Sequence, residues 1–171
     1  MKKLTPPNWD LSDFYSSISD KKIATDISKI ESDAKKFKKD FAGKIAKLSA
    51  KELFAAITTY EKICEKIGKV SSYAQLVYAA DLSNQKNIAF HQNTSESLSK
   101  PESDLVFFSL ELCKIDDKKI EILLKDSSLK KYQPFIRDTR SFKKYQLSEE
   151  LEKFSLEKSV TGRGAFIRLF D

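Results

Sequence analysis

The amino-acid sequence predicts an all-α protein, an antiparallel helical domain built on one long helical hairpin. With only 4 Gly and 4 Pro in 171 residues, the chain has few turn formers, which favours long helices over a many-stranded sheet. From Leu53 to Val77, apolar residues recur at three- and four-residue steps, so they lie on one stripe of a helix. Asp81-Leu82-Ser83-Asn84 then supplies turn formers before a second helical run. Two long helices joined by so short a loop pack antiparallel.

An N-terminal arm is expected over residues 1–18, followed by a single helical domain over residues 19–171. Pro6-Pro7 fixes an extended start to the arm. Four apolar residues that lie close together are interpreted as an anchor that packs the arm onto the helices: Trp9, Leu11, Phe14 and Tyr15.

The first helix is predicted near residues 20–40, with Ser17 or Ser19 as its cap. Its apolar stripe runs at steps of four, three, four and three from Ile23 to Phe37. Ala42-Gly43 is expected to end it, since Gly suits the left-handed residue that follows a helix.

The hairpin helices are predicted near residues 49–80 and 84–113. Ser49 and Glu52 have the spacing of a capping box, which marks the start of the first of them. The stripe stays in phase across Gly68, so this glycine is interpreted as tolerated within the helix, at a close helix crossing. Pro101 predicts that the second helix either ends near Ser97 and restarts, or kinks.

Three shorter helices are predicted near residues 117–125, 129–142 and 148–159. Asp116 is the expected cap of the first of these, and Ser148 with acidic residues in the following turn is the expected start of the last. Thr161-Gly162 interrupts the helical pattern before the last segment of the chain, residues 165–171.

Composition and charge exclude several classes of protein. Hydrophobic residues make up 40% of the chain and charged residues 33%, which is typical of neither a disordered nor a membrane-spanning protein. The N-terminal lysines are not followed by the apolar region of a secretory signal, so a cytoplasmic location is expected. The net charge of +6 comes from scattered lysines interspersed with acids and from only four arginines. This distribution favours a solvated surface over a nucleic-acid partner.

No catalytic, cofactor-binding or metal-binding residue is predicted. His91 is the only histidine and has no second ligand one turn away, so it is interpreted as a half-exposed helical residue. Glu61 and the acids of Glu149–Glu152 have no evident partner base. Gly162-Arg163-Gly164 is too short for a phosphate-binding loop. In the predicted hairpin, Cys64 and Cys113 lie too far apart for a disulfide, as expected of separate thiols in a reducing compartment.

Several short segments, read in order, resemble oligoendopeptidase F, a zinc metallopeptidase of the M3 type. The resemblance starts at Asn8-Trp9-Asp10-Leu11-Ser12-Asp13-Phe14-Tyr15. It continues through Ser71-Ser72-Tyr73-Ala74, Tyr78-Ala79-Ala80-Asp81, Leu147-Ser148-Glu149-Glu150, Glu157-Lys158-Ser159, Thr161-Gly162-Arg163 and Arg168-Leu169-Phe170-Asp171. Two departures are Pro101 within the long helix and Gly164 where the family often has Ser.

The resemblance implies that the chain is the non-catalytic N-terminal region of such an enzyme, a helical wall of the channel that admits oligopeptides. In that family a C-terminal half, expected here as a partner in the same or a separate chain, carries His-Glu-x-x-His and a further Glu that bind zinc. The Glu within the motif activates the zinc-bound water for peptide hydrolysis. This chain has no matching motif, so no site residue carries over, and we expect it to hold no zinc and to cleave nothing by itself.

Two hypotheses therefore stand at this point. One is the channel-wall domain of a peptidase that hydrolyses internal bonds of short peptides; the other is a stand-alone helical binding or scaffold module derived from a truncated peptidase. Under the first hypothesis, the apolar residues Phe166, Ile167, Leu169 and Phe170 are expected to pack against the catalytic half. The alternative is that they fold back onto the hairpin.

Overall fold

A computed structural model describes residues 9–170, apart from the side chains of residues 168 and 170. Within these residues it contains seven α-helices and no strand, which confirms the all-α prediction. We number the helices α1 to α7 in chain order. Their bounds are Lys21–Phe41, Ala50–Ala80, Gln85–Lys114, Asp117–Leu123, Gln133–Ser141, Glu149–Thr161 and Arg163–Phe170. Short 3₁₀ turns connect some of them, at Ile45–Lys47, Ser127–Tyr132 and Lys143–Tyr145.

The hairpin of α2 and α3 is antiparallel, as predicted. Near the loop, the ring of Tyr78 stacks on that of His91 at 4.8 Å between centroids. At the far end, Tyr60 of α2 stacks on Phe108 of α3 at 4.6 Å. A residue late in α2 therefore meets one early in α3, and a residue early in α2 meets one late in α3. Helix α1 packs across both, with Phe37 at 5.3 Å from Phe108.

Side-chain caps begin most of these helices. Ser49 and Glu52 form the predicted capping box: the Glu52 N–H donates to Ser49 Oγ at 3.4 Å, and the Ser49 N–H donates to Glu52 Oε2 at 2.8 Å. Asp116 and Ser148 cap α4 and α6, also as predicted. The cap of α1 is Asp20, not Ser17 or Ser19, because its carboxylate accepts from the Lys22 N–H at 2.9 Å.

The end of α1 and the link between α6 and α7 each depend on a glycine. Gly43 follows α1 with φ of +77°, a conformation that favours glycine. Gly162 separates α6 from α7, and its N–H donates to the Lys158 carbonyl at 2.7 Å. A Cβ at Gly162 would lie 2.8 Å from that same carbonyl oxygen, so the turn has no room for a larger residue.

Both hairpin helices are continuous, so the predicted helix end near Ser97 is wrong. Pro101 is buried inside the continuous helix α3, so the restart near Ser97 does not occur. The close helix crossing expected at Gly68 is also absent, because a Cβ added there would meet no atom within 4 Å. Gly68 thus lies on an open part of the α2 surface.

The predicted N-terminal anchor is correct for three of its four residues. Tyr15 is buried, donates a hydrogen bond from its hydroxyl to Asp26 at 2.8 Å and packs edge-on against Tyr73. Leu11 and Phe14 pack partly buried against the core. Trp9, in contrast, is 79% exposed and anchors nothing.

Candidate functional site

A cleft of 770 Å³ lies along the hairpin, between α2, α3 and the α6–α7 pair. Five of the residues that α2 and α3 contribute to its wall carry hydroxyl or amide groups: Ser71, Ser72, Gln75, Thr94 and Ser95. Tyr78 and His91, whose rings stack nearly parallel, lie on one side. Val160, Gly164 and Ile167 contribute from α6 and α7.

Glu102 of α3 supplies the only carboxylate among the described residues that line this cleft. The side chain is half-buried, and burial raises the pKa of its carboxyl group above the ordinary value. Within the described part of the chain, Glu102 makes no ion pair and accepts no hydrogen bond. No described lining residue is Lys or Arg, although the chain carries 31 of them.

The two residues that follow Glu102 in sequence are both paired. Asp104, which is only 5% exposed, accepts from Lys38 Nζ of α1 at 2.6 Å. Ser103 donates from its hydroxyl to Glu157 of α6 at 3.0 Å. These contacts join α3 to α1 and to α6, and they satisfy the hydrogen-bonding groups of two buried polar side chains.

Behind the cleft, Tyr60 and Cys64 of α2 lie near Glu102. Burial raises the pKa of both groups, and the Glu102 carboxylate adds to the rise. A raised thiol pKa keeps Cys64 protonated and therefore unreactive as a nucleophile. Cys64 and Cys113 are both free thiols, and Cys113 donates to the Thr139 carbonyl.

The other acids considered from the sequence stabilise local structure. Glu61 accepts from the Tyr132 hydroxyl at 2.5 Å, and this hydrogen bond, together with the Lys131 charge, lowers the pKa of its carboxyl group. Glu149 pairs with Lys153 one turn later on α6, and Glu152 accepts from the Leu147 N–H at 2.9 Å.

The described residues do not fit a zinc site. No group of three or more His, Cys, Asp or Glu side chains lies close enough together within residues 9–170 to hold a metal ion. His91 is half-buried against the Tyr78 ring, and the only carboxylate in its cleft is Glu102. A catalytic zinc needs about three protein ligands, so these two residues alone do not provide one.

A second surface feature is the set of exposed apolar side chains towards the C-terminal end of the chain. We call them the C-terminal apolar residues; they are Phe142, Tyr145, Leu147, Leu151, Phe154, Phe166, Ile167 and Leu169. Leu151 and Phe154 lie three residues apart on α6, and Phe166 and Leu169 do so on α7, so each pair shares a helix face. Phe170, for which packing was also expected, has no described side chain.

The fold and these surfaces define an all-α helical domain. The comparisons with known proteins indicate the family that it resembles. Residues 111–171 match the model of the family described as Oligopeptidase F. An oligoendopeptidase F homolog from Borreliella burgdorferi is 30% identical over 147 residues. That match covers 85% of this chain and 24% of the relative, so the chain spans about a quarter of its length.

The two matches support an oligoendopeptidase F N-terminal region for this chain. This confirms the resemblance found in the sequence. No solved structure matches the chain. In addition, none of the helices described here has the length and apolar character needed to cross a membrane.

Proposed function

We propose that the chain forms the helical channel-wall domain of an oligoendopeptidase F-like zinc metalloendopeptidase that hydrolyses internal bonds of short peptides. Its role would be to confine the substrate, while a catalytic region in the same or a separate chain binds zinc and cleaves the peptide. The observation that carries the proposal is the family match, together with the similarity to an oligoendopeptidase F homolog of which the chain spans about a quarter.

The C-terminal apolar residues support this role. All eight lie within residues 111–171, the segment that matches the family model. Apolar side chains exposed in such number in one segment are typical of a surface that contacts another protein region. We therefore propose that the catalytic region covers α6 and α7.

The proposal is tested with the purified chain and a separately produced catalytic segment containing His-Glu-x-x-His, taken from the reading frame next to this one in its genome. The chain alone should hold no stoichiometric zinc by metal analysis and should leave a quenched fluorogenic peptide uncut. The two parts together should co-purify and should cleave short peptides in a chelator-sensitive reaction.

Three results would count against the channel-wall role. They are tightly bound zinc together with chelator-sensitive cleavage by the chain alone, failure of the two parts to associate, or a neighbouring genome region without a His-Glu-x-x-His frame. The last two would favour the stand-alone helical module, a scaffold derived from a truncated peptidase.

A further inference from the structure

The cleft between α2, α3 and α6–α7 has the chemistry of a binding site for a small cation. Its described lining offers hydroxyl and amide groups, a stacked Tyr78–His91 pair and one carboxylate, that of Glu102. Although the chain has a net charge of +6, no described Lys or Arg side chain lines this cleft. The carboxylate of Glu102 therefore lines the cleft without a paired cation among the described residues.

We propose that this cleft binds an alkylammonium group, with Glu102 as its counter-ion. A carboxylate removed from bulk water is costly unless it is paired, and an incoming ammonium group would supply the missing pair. The hydroxyl groups of Ser71 and Ser95 also line the cleft and would accept N–H groups from the rest of the ligand.

The size of the cleft agrees with a ligand larger than an inorganic ion. Pockets of about 300–1,000 Å³ hold small organic ligands, and this cleft encloses 770 Å³. The ammonium group could come from the free N-terminus of a peptide or from a lysine side chain. The choice of a peptide as the source of the ammonium group rests on the proposed function. The binding of an ammonium group beside Glu102 does not depend on it.

Glu102 is distinguished from other acids of the chain by its place in the cleft. Glu96 lies on the same helix, is exposed and accepts from Gln92 at 3.1 Å, but does not line the cleft. Glu102→Gln and Glu96→Gln therefore make the same change in net charge on the same helix, and only the first removes the proposed counter-ion. The Glu102 carboxylate accepts no described hydrogen bond, so Gln at this position is expected to fold.

The experiment titrates the 171-residue chain with three probes and follows binding by NMR and calorimetry. The probes are tri-alanine amide with a free N-terminus, Nα-acetyl-lysine methylamide, and Nα-acetyl-tri-alanine amide, which has no ammonium group. At least one charged probe should bind saturably and shift resonances of the cleft residues, whereas the neutral probe should not. The charged probe that binds identifies the source of the ammonium group.

Glu102→Gln should weaken binding of the charged probe by about tenfold or more, the loss expected for a charge-assisted hydrogen bond. Glu96→Gln should bind like the unmodified chain, and circular dichroism should show both variants folded. Three results would overturn the proposal: no saturable binding of either charged probe, equal binding of the neutral probe, or equal losses in the two variants. Because no catalytic segment is present, these outcomes are separate from those that test the channel-wall role.

Discussion

Replacing two of the C-terminal apolar residues by Ala should change association much more than stability. Phe154 on α6 and Phe166 on α7 are 59% and 72% exposed, so folding removes less than half of each side chain from water. A fully buried Phe contributes about 1.5–3 kcal/mol, which leaves about 1–2 kcal/mol for the two residues together. In a domain of this size, 1 kcal/mol moves the thermal midpoint by about 2–4 °C, so the double variant should lose about 2–8 °C.

The matched control is Phe108→Ala in α3. Phe108 is fully buried against Phe37 and Tyr60, and a Phe→Ala change in a core costs about 3–5 kcal/mol, because a cavity remains. Its thermal midpoint should fall by about 6–20 °C. Circular dichroism melts of the three proteins, recorded side by side, compare these values.

Association is measured by sedimentation velocity and by the fluorescence of a hydrophobic dye. The unmodified chain should bind the dye and self-associate, and Phe154→Ala with Phe166→Ala should reduce both, because an exposed apolar surface causes them. If the double variant loses as much thermal stability as Phe108→Ala, these residues belong to the core. If the unmodified chain is a dye-negative monomer, the C-terminal apolar residues are not a docking surface.

Three further predictions concern stability. Ser49→Ala removes the capping box of α2 and should cost about 1 kcal/mol in urea unfolding, and an unchanged midpoint would contradict that role. Lys38→Met leaves the Asp104 carboxylate buried without its partner. Because Lys38 is partly exposed, the loss of unfolding free energy should be less than the roughly 3–5 kcal/mol seen when a fully buried pair is broken. Adding Asp104→Leu should recover most of that loss. Glu102→Gln should stabilise the chain at neutral pH, because burial raises the pKa of this carboxyl group in the folded state. The raised pKa makes the folded chain less stable as the pH rises from the unfolded-state pKa through the folded-state pKa. The gain in unfolding free energy from Gln should therefore vanish at acid pH. An equal gain at every pH would refute the raised pKa as its cause.

Much of the fold could be predicted because local signals and apolar periodicity agree along this chain. The box at Ser49 and the turn formers at 81–84 fix the ends of α2, and its stripe fixes the face that packs on α3. The predicted cap of α1 is wrong because three Ser side chains and one Asp side chain within residues 16–20 could each cap the helix. In the structure Asp20 is the cap, since its carboxylate accepts from the N–H groups of both Ser16 and Lys22.

Tertiary contacts decided the features that periodicity could not predict. Trp9 has the apolarity of an anchor residue, but sequence alone does not say whether a core surface lies within its reach. Pro101 remains helical because α3 is packed along its length, and this packing outweighs the local preference for a break. The cleft required knowledge of which face of α2 stays uncovered.

The same stretch of α3 shows why the candidate site escaped prediction. The spacing of Ser99-Lys100-Pro101-Glu102 is that of a helix start, which favours a capping role for Glu102. In the structure no helix starts there, and Glu102 is free of that role. Both acidic or hydroxyl neighbours, Ser103 and Asp104, are paired with side chains of α6 and α1, whereas Glu102 is turned to the cleft. A carboxylate held at a cost to stability, beside two polar side chains that are satisfied, is typical of a group retained for binding. Glu102→Gln distinguishes the two roles directly: a stabilised chain that has lost ammonium binding indicates a functional residue, and a stabilised chain that binds unchanged indicates a structural residue that Gln can replace.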